Sequence, residues 1–204
     1  MNITTATLVI ASGNPGKILE IKAILSHLEI EIITLQDRGN RIDIEETGST
    51  YFENARIKAM AYLEETGLPV LSDDTGLEVE ALDGAPGLHS ARFSPMQSAT
   101  DSDRRRYLLS QLAGKPQPWN ARFVCTTVLA LPDDEIITTA GCCQGLIAPE
   151  ERGSRGFGYD PVFYIPEYNA TMAELSADIK NQISHRARAL AAMIPHIQEK
   201  LISR

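Results

Sequence analysis

The stretch that most constrains this chain is Leu8-Val9-Ile10-Ala11 followed by Ser12-Gly13-Asn14-Pro15-Gly16-Lys17. The first four residues are apolar and partly β-branched, which predicts a short buried strand. Beyond the turn, Ile18, Ile21, Leu25 and Leu28 recur at helical spacing, with Leu19 and Ile24 widening the apolar stripe. A strand that ends in a glycine-containing turn and opens a helix gathers backbone N–H groups at the positive end of the helix dipole, a place suited to an anion. Lys17 adds a full positive charge there, and Ser12 and Asn14 add short polar side chains. The spacing is not that of a P-loop, because two residues separate Gly13 from Gly16 and Ile18 follows Lys17. Taken alone, the stretch reads equally well as a phosphate site and as an ordinary strand-to-helix turn built with Gly and Pro.

The 204 residues suit a single domain with a substantial core, spanning 1–204, and 43% hydrophobic with 23% charged residues is the make-up of a soluble globular protein. A net charge of −8 argues against nucleic acid or an anionic membrane as the main partner, so an anionic ligand must be drawn by a local basic cluster. Met1-Asn2-Ile3-Thr4-Thr5 lacks the pattern of a signal peptide, and no apolar run approaches membrane-spanning length. Cys125, Cys142 and Cys143 form neither a disulfide framework nor a zinc spacing, and read as buried thiols in a reducing cytoplasm.

Along the chain, a second strand is expected at Glu31–Thr34 and a helix after Thr50, where Thr50-x-x-Glu53 has the form of a capping box and Gly67 ends the element. Pro69-Val70-Leu71 reads as a brief strand running into a turn at Ser72-Asp73-Asp74-Thr75-Gly76, followed by a half-buried strand at Glu78–Leu82. A helix is expected over Asp103–Leu112, its Arg104-Arg105-Arg106 triplet read as a solvated face. Ala121–Leu131 and Ile136–Ile147 read as two long strands joined by a hairpin turn at Pro132-Asp133-Asp134. One C-terminal helix is expected to carry Ile179, Ile183, Ala187, Leu190, Ile194, Ile197 and Leu201 as a stripe. Alternating helices and strands with a long hairpin predict an α/β fold with a mixed sheet.

Three further groups bear on chemistry. Asp73-Asp74, with Glu45 and Glu46 from another turn, offers oxygen ligands of the kind Mg²⁺ takes beside phosphates, or else exposed turn residues. Gly156-Phe157-Gly158-Tyr159-Asp160-Pro161 sets two aromatics among glycines, able to stack on a base or to anchor a loop. Lys180, Ser184, His185 and Arg186 place donors close together at the start of the last helix.

Five stretches together resemble the inosine/xanthosine triphosphate pyrophosphatase family, in that family's order and over nearly the whole chain. They are Ser12–Lys17; Glu45-Glu-Thr-Gly48 with Glu53-Asn-Ala55 and Lys58; Ser72-Asp-Asp-Thr-Gly-Leu77; Gly84-Ala-Pro-Gly87 with Ser90-Ala-Arg92; and Gly156–Pro161 with Ser184-His-Arg186. Thr75 stands for a commoner Ser and keeps the hydroxyl. The resemblance implies an elongated, two-lobed α/β fold around a long mixed sheet with flanking helices, an active-site cleft between the lobes, and a homodimer. It implies Mg²⁺-dependent hydrolysis of non-standard purine nucleoside triphosphates, ITP, dITP and XTP, to a monophosphate and pyrophosphate. By position it implies that Ser12, Gly13, Asn14, Pro15, Gly16, Lys17 and Lys58 hold the triphosphate, that Glu45 and Asp74 bind Mg²⁺, and that Asp74 accepts the water's proton. It further implies that Thr75 touches the substrate and that Phe157, Gly158, Tyr159, Asp160, Lys180, His185 and Arg186 form the base side. Two alternatives stand beside it: a broader pyrophosphatase of modified nucleotides, and a nucleotide-binding module without turnover.

Overall fold

A computed structural model describes residues 5–39 and 42–203. The expectation that no signal peptide occupies Met1–Thr5 falls almost wholly outside them. In chain order the strands and helices are Ala6–Ala11 (β1), Pro15–Leu25 (α1), Ile30–Thr34 (β2), Tyr51–Thr66 (α2), Val70–Val79 (β3) and Pro86–Gly87 (β4). Then come Asp101–Leu112 (α3), Asn120–Ala130 (β5), Ile136–Ile147 (β6), Phe163–Ile165 (β7), Ala170–Thr171 (β8), Ala177–Ile183 (α4) and His185–Ile197 (α5). The strands join in one eight-stranded sheet ordered β2-β1-β3-β5-β6-β7-β8, with β4 paired to β3. β1 runs parallel to β2 and β3, whereas β3–β4, β6–β7 and β7–β8 are antiparallel, so the fold is α/β with a mixed sheet as expected.

The chain forms two compact units, each assembled from separated stretches. The first takes its residues from Met1–Asp74, Cys125–Gly141 and Arg186–Arg204. Its β1 is apolar and buried from Leu8 to Ala11, because there both faces are covered, as parallel strands require. Leu8 and Ile10 pack with Ile21 and Leu25 of α1 and with Leu190, Met193 and Ile197 of α5. Val9 and Ala11, pointing the other way, pack with Ala55, Ala59 and Tyr62 of α2. The hairpin turn between β5 and β6 lies where expected, with Asp134 in the left-handed region and its N–H donating to the Leu131 carbonyl at 3.1 Å.

The second unit comprises Thr75–Val124 and Cys142–His185. Leu77, Leu108, Leu112, Trp119, Phe123, Phe163 and Met172 form its core. Phe123 meets Phe163 at 4.4 Å between ring centroids and stacks on His185 at 4.6 Å.

Four expectations are corrected. Asp73 and Asp74 lie within the ten-residue β3 rather than in a turn. β3 ends at Val79, because Val79 both receives an N–H from Gly84 (3.0 Å) and donates to the Ala85 carbonyl (3.2 Å), folding 80–82 into a single 3₁₀ turn instead of a strand. α3 begins at Asp101, two residues early, because Thr100 caps it and exchanges both bonds of a capping box with Asp103. The expected C-terminal helix is two helices, broken at Ser184, whose ψ of 158° is extended. Its apolar stripe is divided accordingly: Ile179 and Ile183 pack in the second unit, while Leu190, Ile194, Ile197 and Leu201 pack in the first.

Candidate active site

In the first unit, the turn between β1 and α1 is organised by Asn14. Its Oδ1 accepts from Gly16 N (2.9 Å) and Lys17 N (3.2 Å), and Asn14 N donates to Ser12 Oγ at 3.2 Å. This is N-capping of α1, reinforced by Pro15 at the first helical positions. The two helix-start amides expected to face an anion are therefore occupied by the asparagine side chain in this state. What the turn presents is the Asn14 amide, the Ser12 hydroxyl, the Lys17 ammonium and Gly13, beside which a Cβ would meet nothing within 4 Å. Such bare backbone lets a ligand approach closely.

The acid pair gains its character from the strand beneath it. Successive side chains of β3 point to opposite faces, so Asp73 and Asp74 have different neighbours. Asp73 Oδ2 receives Lys17 Nζ at 3.1 Å, Arg186 Nη2 at 3.0 Å and Nε at 3.2 Å, with the Cys125 thiol at 3.9 Å. Burial pushes the Asp73 carboxyl up, but Lys17, Arg186 and Lys58 outweigh it and hold the group well below the ordinary carboxylate range. The same residue's Oδ1 is buried with no hydrogen-bond partner among the described residues. Arg186, 1% exposed, also pairs with Glu20 of α1. The ions of this buried cluster are thus mutually compensated, as their burial demands.

Asp74 faces α2. Its Oδ1 lies 3.3 Å from Lys58 Nζ, and its Oδ2 receives Asn54 Nδ2 at 3.3 Å. Burial raises its pKa, and the opposing charges of Lys58 and Lys17 do not cancel that effect. A carboxyl so placed is a better proton acceptor than an exposed aspartate. Lys58 in turn bonds Glu46 Oε1 at 2.7 Å, whereas Glu45 is exposed. Burial works to lower the Lys58 pKa, but Asp74, Asp73 and Glu46 together carry it upward, so the ammonium stays charged. Asn54 also accepts from Gly48 N at 2.8 Å, tying the acidic turn to Asp74. A Cβ on Gly48 would stand 2.7 Å from that amide oxygen, which is why the turn needs glycine there.

The second unit gathers the aromatic loop. Asp160 Oδ2 accepts from Phe157 N at 2.9 Å and forms a buried ion pair with Lys180, whose ammonium lies 4.9 Å from the centre of the Phe157 ring. Gly156 has φ +73°, and a Cβ there would collide with the Asp160 carboxylate. Tyr159 sends its hydroxyl to Ser90 O at 2.8 Å, and Ser90 Oγ accepts from Leu77 N and donates to Gly87 O. Burial pushes the Tyr159 phenol up, so it remains a neutral donor. His185 stacks on Phe123, and Thr75 is the unit's first residue.

Thus the first unit brings together Ser12–Lys17, Lys58, Asp74 and Arg186, and the second Phe157–Asp160, Lys180, His185 and Thr75. Arg186 stands with the acids of the first unit, although the resemblance grouped it with the base residues. Glu20, Asn54 and Asp101 carry site contacts and were assigned no role from the sequence; Glu46, read there only as an oxygen ligand beside Glu45, bonds Lys58, and Arg105, read as solvated, bonds the aromatic loop. The signal available for Asn54 was its polarity in the interior of an otherwise good helix, where asparagine has low propensity.

An α/β unit that sets two ammonium groups and two strand carboxylates around a strand-to-helix turn belongs to the proteins equipped to handle phosphorylated ligands. The chain belongs to the Ham1 family, whose model matches residues 8–196. It is 45% identical over 191 residues to the dITP/XTP pyrophosphatase of Geobacter sulfurreducens, covering 93% of this chain and 96% of that one. It is 46% identical over 187 residues to the Thermus thermophilus protein of the same name, covering 91% and 89%. Among solved structures, a HAM1 protein from Coxiella burnetii superposes with a TM-score of 0.85 at 41% identity, covering 96% of this chain and all of the other. The Staphylococcus aureus Ham1 protein gives 0.83 at 39% identity, covering 95% and 99%.

Proposed function

We propose that this chain hydrolyses the non-standard purine nucleoside triphosphates ITP, dITP and XTP to the monophosphate and pyrophosphate, clearing them from the nucleotide pool. The observation that carries this reading is the division of labour on β3: Asp73 locked as an anion by Lys17 and Arg186, and Asp74 with a raised pKa beside Lys58. Lys17 and Lys58 neutralise triphosphate oxygens and stabilise charge developing on the pyrophosphate as it leaves. Asp74 takes one proton from the water that attacks the α-phosphorus, as the bond to the bridging oxygen breaks. A module that merely bound nucleotide would gain nothing from carboxylates beside the phosphates, which favours turnover.

The acids fit Mg²⁺. Among the described residues no group of three or more potential His, Cys, Asp or Glu ligands comes together, so the substrate's phosphates would have to complete the shell, as Mg²⁺ usually requires. Asp74 and Glu46 converge on one ammonium, and Asp73 Oδ1 is a buried acceptor with no partner among the described residues. Asp74 with a carboxylate of the acidic turn would hold the ion; the resemblance points to Glu45, the geometry to Glu46. When bound, Mg²⁺ supplies charge neutralisation on the phosphoryl oxygens. In the second unit, Phe157 offers a ring face to the base, and Lys180 and His185 offer donors to its oxygens. We place the enzyme in the cytoplasm as a homodimer, which equilibrium sedimentation tests; of the three thiols expected to be buried, Cys125 and Cys143 are, whereas Cys142 is exposed.

The test is pyrophosphate release from a panel of ITP, dITP, XTP, GTP, ATP and modified pyrimidine triphosphates, with Mg²⁺ and with excess EDTA. The reading expects turnover of the first three that EDTA abolishes. Equal turnover of pyrimidine substrates would favour the broader pyrophosphatase, and no release at all the binding module.

A further inference from the structure

The basic triplet of α3 is not a solvated face. Arg106 is, with its side chain 71% exposed, but Arg105 turns onto the aromatic loop and donates from Nη1 to Gly158 O at 2.7 Å. Its Nη2 pairs with Glu151 at 2.8 Å. From the first turn of the same helix, Asp101 Oδ2 accepts Gly158 N at 2.8 Å. Both polar groups of one residue in the loop, the N–H and the C=O of Gly158, are therefore held by side chains one helical turn apart on α3. Asp101 also pairs with Arg104, which donates to Ala99 O at 2.6 Å and Ala91 O at 3.2 Å, so the acceptor is itself fixed. Burial raises the Asp101 pKa, but Arg104 and the Gly158 N–H together bring it below the ordinary value, keeping the group an acceptor.

Gly158 sits between Phe157 and Tyr159 with φ +60°, a left-handed conformation open to several neighbouring geometries in a free glycine. Tyr159 is anchored through Ser90, and Phe157 N through Asp160. The turn is closed by Asp160 N–H donating to Phe157 O at 3.2 Å, and the bonds to Gly158 hold the N–H and C=O that lie between these anchors, next to the residue that carries the ring.

We propose that Asp101 and Arg105 are positioning residues that set the Phe157 ring for the substrate base by clamping Gly158. The proposal rests on the reading of this loop as the base side. A loop held in place before binding spares the substrate the cost of ordering it, so loosening the clamp weakens binding with little effect on the chemical step.

The experiment measures kcat and KM for ITP, with thermal melting, in Asp101→Ala, Asp101→Asn, Arg105→Ala, Phe157→Ala and the double variant Asp101→Ala/Phe157→Ala. Asp101→Ala and Arg105→Ala should each raise KM by about tenfold with kcat within about twofold of the parent. Asp101→Asn retains an acceptor for Gly158 N–H but not the charge facing Arg104, and should recover most of the affinity. The double variant should be no worse than Phe157→Ala, because the clamp acts through the ring. Unchanged KM in Asp101→Ala and Arg105→Ala, with a raised KM in Phe157→Ala, overturns the clamp while leaving the base side intact. Unchanged KM in Phe157→Ala removes the base-side reading itself. Failure of Asp101→Asn to rescue overturns the clamp in favour of a role through Arg104. Should Asp101→Ala not fold, Arg105→Ala puts the same question from the carbonyl side of Gly158.

Discussion

Two adjacent aspartates can hold opposite protonation tendencies because a strand sends them to opposite faces. Asp73 meets Lys17 and Arg186, while Asp74 meets α2 with Asn54 and Lys58. Asp74→Asn preserves shape and removes the proton acceptor, so kcat for ITP should fall by roughly 10²-fold or more, measured by pyrophosphate release, with folding intact. Turnover close to the parent's would move the role elsewhere. Asp73→Asn should instead lower stability by about 3 kcal/mol in urea unfolding, since it leaves the buried Arg186 without its main partner. The pH dependences differ in sign. Asp73, with a lowered folded pKa, contributes stability that is present above the unfolded carboxyl value of about 4 and is lost as pH falls below it. Asp74, with a raised folded pKa, carries a cost that is present at neutral pH and relieved as it protonates on acidification toward about 4. In metal-free buffer at pH 7, Asp73→Asn should therefore melt below the parent and Asp74→Asn level with it or above. Both differences should shrink on acidification, and melting curves from pH 7 to 3 check this.

Among the elements, β1 and α1 were legible because their apolar spacing is intrinsic to the residues, and the β5–β6 hairpin because its turn residues announce it. β3 was not. Ser72-Asp73-Asp74-Thr75-Gly76 is built of residues depleted in strands, and only tertiary partners make it one. Ser72 donates to the Ala55 carbonyl at 2.6 Å, and each carboxylate has cations waiting. The break at Ser184 was hidden for another reason: apolar spacing runs through it unchanged, although the two halves serve different cores. The site residues were legible as a set of motifs, but not the contacts among them. Asn54 shows the gap, since its bonds to Gly48 and Asp74 join α2 to an irregular turn and to a strand. Asn54→Ala should lower kcat about tenfold and stability by about 1–3 kcal/mol, because it leaves a Gly48 N–H unpaired and frees Asp74. An unchanged kcat with lowered stability would make Asn54 a structural tether alone.

For the molecule as a whole, the acidic surplus of −8 means that the proposed polyanionic substrate would need a local basic cluster, for which Lys17 at the β1–α1 turn and Lys58 on α2 are the candidates. On the proposed reading those groups meet phosphate and cannot tell one base from another, so discrimination would fall to the residues of the second unit. Hypoxanthine and xanthine carry a 6-oxo acceptor, which donors such as Lys180 or His185 would satisfy on that reading, whereas adenine would present an amino donor to them. Guanine shares the oxygen but adds an amino group at position 2, which a donor or close wall there would refuse. Leaving buried groups unpaired can cost several orders of magnitude in kcat/KM in the best cases, so ITP and XTP should far exceed ATP and GTP. The two units should then respond differently to substitution. Lys180→Met should narrow the ITP-to-ATP ratio of kcat/KM, while Asp74→Asn should lower both substrates and leave the ratio unchanged. Arg186→Ala discriminates further, because its guanidinium is committed to Asp73 and Glu20 in the first unit. It should depress ITP and ATP alike and lower the melting temperature. A selective loss on ITP in Arg186→Ala, with Lys180→Met keeping the parental ratio, would return base recognition to the arginine and take it from the lysine.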